Sequence, residues 1–334
     1  MEEKEALYYE KLREKKVRCL LCPRKCIIKE GDVGNCRVRI NINGILYSLV
    51  YGKPCSVAID PIEKKPLFHF LPGSKAFSLG TVGCNLHCVY CQNYDISQAK
   101  VEEVPFYRIS PEEVVKKALE MECRVMAYTY SEPTVFYEYM LDIAKVARRN
   151  KIKNVIVSNG FINEEPLKKL LGFIDGANID LKAFDDEFYR KYTSSWLEPV
   201  LKSLRIIKER EVWLEITNLI IPGLNDKAEK IEEMVKWIRD NLGKDVPLHF
   251  TAFYPSYKLL DVPPTPEEIL FKARDIAKNY LDFVYVGNII NEAENTYCPK
   301  CGAVLIKRIG FDVIENNIKN GKCNKCGKKI PGVW

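Results

Sequence analysis

The sequence predicts an α/β protein in which a mostly parallel sheet is covered by helices. Short β-rich runs alternate with helical stretches through the middle of the chain, and polar residues gather at the trailing ends of those runs. The chain has 334 residues, 47% of them hydrophobic, enough for one substantial core with small satellites. Such alternation builds either an open doubly wound sheet or a partly closed barrel, and periodicity alone does not separate the two.

Strands are expected at residues 76–83 (AFSLGTVG), 125–130 (VMAYTY), 154–159 (NVIVSN), 177–183 (ANIDLKA), 213–221 (WLEITNLII), 247–253 (PLHFTAF) and 283–289 (FVYVGNI). Between them, the clearest helix begins at Ser110, where Ser110-Pro111-Glu112-Glu113 supplies an N-cap, a first-turn proline and a capping-box glutamate. Further helices are expected near 134–149, 197–210, 227–242 and 266–279. At the strand ends stand Cys84, Ser131 with Glu132, Asn159, Asp180 with Lys182, Asn218, and finally His249, Thr251 and Tyr254. Active sites of parallel α/β folds lie at the carboxyl ends of the strands, so these residues should converge on one mouth, with His249 the one histidine of three expected there. Asp180 and Lys182 are two residues apart and point to one face of their strand, forming an interior charge pair if that face is a lumen. The charged run of Asp60, Glu63, Lys64 and Lys65 reads as solvated surface.

Thirteen cysteines fall into groups. Cys19, Cys22, Cys26 and Cys36 form one; Cys84, Cys88 and Cys91 a second; Cys298, Cys301, Cys323 and Cys326 a third. In a reducing compartment, thiols two or three residues apart read as metal ligands rather than disulfides. Cys55 and Cys123 stand apart and read as small buried hydrophobes. No run approaches the roughly 18 apolar residues of a membrane span. The charged start of the chain does not resemble a signal sequence, and a cytoplasmic location with no membrane association is expected. Net charge is +6 overall. Residues 298–334 carry eight Lys or Arg against Asp312 and Glu315, and residues 1–40 carry eleven basic against seven acidic side chains. Basic ends of this kind are either ordinary solvated surface or a meeting place for RNA or an acidic partner.

Three closely spaced thiolates suit a four-iron cluster in which one iron lacks a protein ligand, whereas structural zinc wants four closed positions. Cys84-x3-Cys88-x2-Cys91, with Tyr90 before the last cysteine and a strand before the first, resembles the signature of the radical S-adenosylmethionine (SAM) superfamily. The strings DPIEKKPLFHFLPGS, YTYSEPTVFYEY, VSNGF, IDLKAF, IIPGLND and LHFTAFYP more narrowly resemble the AmmeMemoRadiSam-system radical SAM enzymes, relatives of the pyruvate formate-lyase activating enzymes. The resemblance spans nearly the whole chain. It implies a partial (β/α)6 TIM-type barrel whose [4Fe-4S] cluster binds SAM at its open iron. A low-potential electron donor then drives reductive cleavage to a 5′-deoxyadenosyl radical, which abstracts hydrogen from a substrate. It also implies that Ser131 and Glu132 receive the SAM ammonium in place of a Gly-Gly-Glu-Pro stretch, and that Tyr90, Ser158, Asn159 and Asp180 contact SAM. Lys182, His249 and Tyr254 are the residues expected on the substrate side. A protein or peptide substrate or partner is the first expectation; an RNA-modifying enzyme and a non-catalytic metal-dependent assembly module are the alternatives.

At the carboxyl end, YCPKCG and GKCNKCG form a zinc-ribbon-like pattern of two CxxC pairs, too short to fold without metal. At the amino end, CLLCPRKCIIKEGDVGNC forms a closed four-thiolate site for zinc or for an accessory iron–sulfur cluster, zinc being preferred. The expected organisation is therefore a metal-binding segment at 1–45, a linker at 46–75, the barrel at 76–290 and the ribbon-like module at 291–334.

Overall fold

A computed structural model describes residues 4–289 and 291–334. Residues 1–3, at the head of the expected metal-binding segment, and residue 290, at the end of the expected barrel, lie outside the described residues.

The core sheet has eight strands: β1 (Ser56–Pro61), β2 (Lys75–Gly80), β3 (Val125–Tyr128), β4 (Lys153–Ser158), β5 (Gly176–Asp180), β6 (Trp213–Ile220), β7 (Leu248–Ala252) and β8 (Val284–Gly287). They lie side by side in chain order, with β1 antiparallel to β2 and every later pair parallel. Helices α1 (Pro111–Glu120), α2 (Tyr137–Arg149), α3 (Glu164–Leu171), α4 (Glu198–Glu209), α5 (Ala228–Leu242) and α6 (Glu267–Lys278) fill the six parallel crossovers. A doubly wound sheet reverses its strand order at a switch point. This one never reverses, so it winds as the wall of a barrel; β1 and β8 do not pair among the described residues, and the barrel is partial.

Local chemistry explains the elements. At the start of α1 the Ser110 hydroxyl accepts from Glu113 N at 3.3 Å, and the Glu113 carboxylate accepts from Ser110 N at 2.8 Å, closing the capping box. Strands β3 and β7 are buried at every residue, as expected for parallel strands covered on both faces. Several strands end sooner than their apolar runs. After β3, for instance, Tyr130 turns to φ +70° and breaks the extended run.

Residues 46–75 do more than link. They supply β1, the antiparallel edge, and a segment that plugs the amino end of the barrel. There the Phe70 ring lies so close to Gly176, the first residue of β5, that an added Cβ would sit 2.9 Å from it. Asp60, Glu63 and Lys65 are buried, at 5%, 0% and 2% exposure, which corrects the reading of this run as surface. Lys64 alone keeps a half-exposed side chain. Each buried charge has a partner: Asp60 receives Lys65 at 2.6 Å and Tyr130 Oη at 2.6 Å, while Glu63 faces Arg308 at 3.6 Å. Of the isolated cysteines, Cys123 is buried and Cys55 half-buried, and both are free thiols.

Two small antiparallel sheets precede the barrel. Lys4–Glu5, Ile45–Ser48 and Arg39–Ile42 form one; Tyr9–Lys11, Val17–Cys19 and Ile27–Ile28 form the other. They are anchored by Arg39, which grips Glu138 of α2 at 2.6 and 2.7 Å in a fully buried fork. The carboxyl-terminal module, with strands Thr296–Tyr297, Val304–Ile309 and Asp312–Asn316, docks under the plug. Its Arg308 donates to Phe68 O at 2.7 Å, and Leu71 N donates to Val333 O at 2.7 Å.

Candidate active site

The three-cysteine loop leaves β2 at the carboxyl end of the sheet. Gly83, at φ +100°, precedes Cys84 where a Cβ would fall 2.6 Å from Val38 Cγ1 and 2.8 Å from Cys36 O, so only glycine fits. Beyond it the loop is held by backbone bonds to neighbouring elements: His87 N to Thr193 O at 2.9 Å, Val89 N to Tyr192 O at 3.0 Å and Lys258 N to Val89 O at 2.9 Å. The sulfurs have donors beside them. Leu86 N donates to Cys84 Sγ at 3.3 Å, and Ser97 Oγ lies 3.2 Å from Cys91 Sγ. Burial, and secondarily Glu132, pushes the Cys84 thiol well up; burial pushes Cys88 up to about 12, with Lys182 opposing. Iron binding must therefore release the protons of these two thiols.

Spacing distinguishes the cysteine groups. Among the described residues, the ligand atoms of Cys298, Cys301, Cys323 and Cys326 all lie within 4.8 Å of one another, with Cys298–Cys326 at 3.6 Å and Cys301–Cys323 at 3.8 Å. Tetrahedral zinc with bonds near 2.3 Å requires sulfurs about 3.8 Å apart, so this quartet fits a single ion. Cys84, Cys88 and Cys91 are not gathered to that spacing. In a four-iron cluster each thiolate binds its own iron, so three cysteines need not close around one ion. Nor does His87 offer a ligand: its ring nitrogens lie 2.7 and 2.8 Å from the amide oxygens of Gln98 and Asn35.

Around the loop, Glu132 is buried, with burial raising its carboxyl above the ordinary range while four donors hold it down. Its Oε1 accepts from Thr134 N, Thr134 Oγ1 and Ser158 Oγ at 3.0, 2.7 and 2.7 Å, and its Oε2 accepts from Asn159 N at 2.9 Å. Asn159 Nδ2 in turn donates to Asn85 Oδ1 at 2.9 Å and lies 3.8 Å from Cys84 Sγ. Ser158 Oγ also accepts from Gly160 N at 3.1 Å. Glu132, Ser158 and Asn159 thus form one network behind the first cysteine, with a single acceptor position left on Oε2. Asn85, which joins it, sits inside the cysteine motif and was not singled out from sequence.

Lys182 Nζ meets Asp180 Oδ2 at 3.0 Å, and the pair faces Cys88. Burial alone would lower the lysine, but Asp180 and Cys88 hold its ammonium above the ordinary range. Tyr90 is buried against Phe188, its ring 6.1 Å away. The Tyr90 hydroxyl lies against the Cys88 thiol, whereas Ser131 Oγ and Asn218 Oδ1 are buried polar atoms without a hydrogen-bond partner among the described residues, toward the carboxyl ends of β3 and β6. Orphans of this kind fit a polar ligand bound beside the cluster. Tyr254 follows β7 at the rim, half-exposed, its hydroxyl donating to Asn288 O at 3.1 Å.

His249 does not join this group. It is the second residue of β7, and its side chain reaches the barrel floor, where Nε2 bonds Glu215 Oε2 at 2.7 Å and the ring packs against Phe68 and Tyr285. The same Glu215 accepts from Phe68 N and His69 N at 3.0 and 2.7 Å. The expected place at the mouth is corrected: position along the strand, not membership of it, decides which end a side chain serves. His69 shares this floor, bonded to Pro331 O and Tyr285 Oη.

A model of the radical SAM superfamily matches residues 78–238. The chain is 50% identical to uncharacterized protein MJ0808 of Methanocaldococcus jannaschii, over 98% of both chains. It is 27% identical to a putative glycyl-radical enzyme activating enzyme of the same organism, over 63% of this chain and 80% of that one. A radical SAM methyltransferase of Sphaerobacter thermophilus shares the fold with a TM-score of 0.52 at 13% identity, over 70% of this chain and 71% of that one. Its consecutive parallel strands, the open three-cysteine loop at their carboxyl ends and these relatives place the chain in the radical SAM superfamily, as an enzyme related to the glycyl-radical activating enzymes.

Proposed function

We propose that this radical SAM enzyme acts on a protein or peptide, as an activating enzyme does. Cys84, Cys88 and Cys91 would hold a [4Fe-4S] cluster, which, once reduced by a low-potential donor, would supply the one-electron chemistry for reductive SAM cleavage. The chain's own residues orient and enclose that chemistry. Ser131, Asn218 and the vacant acceptor position on Glu132 Oε2 offer polar contacts to SAM. Ser158 and Asn159 act through Glu132 and Cys84, fixing their positions. Lys182, paired with Asp180, places positive charge beside Cys88, and Tyr254 stands at the rim where substrate would enter. Both iron–sulfur and SAM fit these residues; zinc fits the carboxyl-terminal quartet.

The observation that carries the polypeptide reading is the match to the glycyl-radical activating enzyme over 80% of that protein's length. RNA as substrate would draw on the basic carboxyl-terminal module, but that module docks at the amino end of the strands, opposite the cysteine loop. Anaerobic reconstitution with iron, sulfide, SAM and a low-potential reductant should release 5′-deoxyadenosine. Adding a deuterated candidate protein should carry deuterium into that product. Transfer from labelled RNA, with none from protein, would reject the reading.

A further inference from the structure

We propose that Cys19, Cys22, Cys26 and Cys36 hold a second [4Fe-4S] cluster, not the zinc that their closed set of four suggests. All four line one cavity, together with Arg24, Arg39 and Asn85. Within this same chain the carboxyl-terminal quartet is drawn to single-ion spacing, every ligand atom within 4.8 Å of the others, and the amino-terminal quartet is not. Four thiols lining one cavity match the ligand number of a four-iron cluster, one thiolate to each iron.

Arg39 supplies an independent observation. It is 1% exposed, and most of its guanidinium is committed: Nη1 donates to Leu7 O at 3.0 Å and Nη2 to Glu138 at 2.6 and 2.7 Å. Its Nε is buried with no partner. A buried donor left unpaired is unfavourable, and the inorganic sulfide of a cluster is the acceptor this cavity lacks. Zinc would bring no such acceptor beyond the four thiolates themselves.

The cavity backs directly onto the catalytic loop. Gly83, the residue before Cys84, is pressed against Cys36 O. Arg24 Nε donates to Asn85 O, and the Asn85 side chain accepts from Asn159, itself 3.8 Å from Cys84 Sγ. One layer of residues therefore separates the two cluster sites, close enough for their electron spins to interact when both are reduced.

The test uses the full chain, reconstituted anaerobically with iron and sulfide, with metal and acid-labile sulfide determined per chain. The wild type is expected to hold about eight irons and about one zinc. The Cys84→Ala, Cys88→Ala, Cys91→Ala chain, whose amino-terminal segment is untouched, should keep about four irons. The Cys22→Ser, Cys36→Ser chain should also fall to about four while keeping its zinc. Reduced wild type should give an electron paramagnetic resonance spectrum broadened by spin–spin coupling that neither variant shows. In the triple-alanine chain, Arg39→Lys, which keeps the charge opposite Glu138 but deletes the Nε donor, should lower the cluster's midpoint potential. Two zincs per wild-type chain would overturn the proposal, whatever the variants do. So would a triple-alanine chain that is folded by circular dichroism yet retains no iron. Neither result bears on the substrate, and loss of iron from the triple-cysteine site alone would leave this inference standing.

Discussion

Ser158 Oγ donates to Glu132 Oε1 at 2.7 Å, tying the end of β4 to the loop after β3. The same carboxylate is the common acceptor for Thr134 and Asn159, and through Asn159 it reaches the surroundings of Cys84. Glu132→Gln keeps the volume but turns an NH2 toward one of these donors and removes the charge. Release of 5′-deoxyadenosine should fall about 10- to 100-fold, the worth of a charged hydrogen bond, with iron content unchanged. Ser158→Ala, which removes one of four donors, should cost only severalfold. Full activity in Glu132→Gln would show that the carboxylate is dispensable.

Lys182 places an ammonium beside Cys88 and is held there by Asp180. Lys182→Met keeps the length of the stem and deletes the charge, so the reduced, more negative cluster loses a stabilising neighbour. Potentiometry should find the cluster's midpoint potential lowered, and single-turnover SAM cleavage should slow by about tenfold. Lys182→Arg should restore the potential. An unchanged potential in the methionine variant would remove Lys182 from the site.

Arg308 is fully buried and joins the carboxyl-terminal module to the plug, donating to Phe68 O, Glu294 O and Thr296 Oγ1 and lying 4.2 Å over the Phe68 ring. Arg308→Met takes a donor from each of those acceptors and the opposite charge from Glu63, which keeps its bond from Gly73 N. Such breakage of a buried pair costs about 3–5 kcal/mol. Burial pushes Glu63 up to about 7, Arg308 opposing, so the acid is readily carried neutral and Glu63→Gln with Arg308→Met should destabilise less than the two changes summed. Denaturant melts of the single and double variants measure this directly.

Burial pushes His69 from 6.5 down to about 4. Between those values the unfolded chain binds a proton that the folded chain refuses, so the stability His69 confers is complete above about pH 6.5 and is lost as pH falls toward 4, by on the order of 3 kcal/mol. Glu63 and Glu294, both pushed up to about 7 by burial, act in the opposite sense, favouring the folded state as pH falls from 7. The difference between wild type and His69→Gln isolates the histidine. On going from pH 7 to pH 5 the urea midpoint of the variant should rise relative to that of wild type, because the histidine's loss is gone while the two glutamates still act; an identical pH dependence in both chains would mean that the ring titrates in the fold as it does in the unfolded chain.

Much of the architecture could be read from periodicity and caps, because parallel strands buried on both faces leave continuous apolar runs and Ser110 to Glu113 announces a helix start. Three cysteine groups declared themselves by spacing. What escaped was set by tertiary contacts. Strand β1 exposes Val57 and Ile59 and buries Asp60, the reverse of the usual alternation, and α3 shows only two turns around Pro166. Asp60, Glu63 and Lys65 are charged neighbours, a pattern that ordinarily faces water; partners distant in sequence, Tyr130 and Arg308, make their burial tolerable. His249 was misplaced because a strand residue near the amino end serves the floor, and its partner Glu215 lies 34 positions away. Sequence order carries no trace of that distance.

Among the described residues, strands β1 and β8 bound the core sheet without pairing to each other, and β1 runs against the direction of all the rest. A closed cylinder fixes its radius through strand number and shear. A wall left with a seam can alter its curvature without breaking a single ladder bond. The chamber beneath the cysteine loop therefore does not have its radius fixed by a continuous ladder.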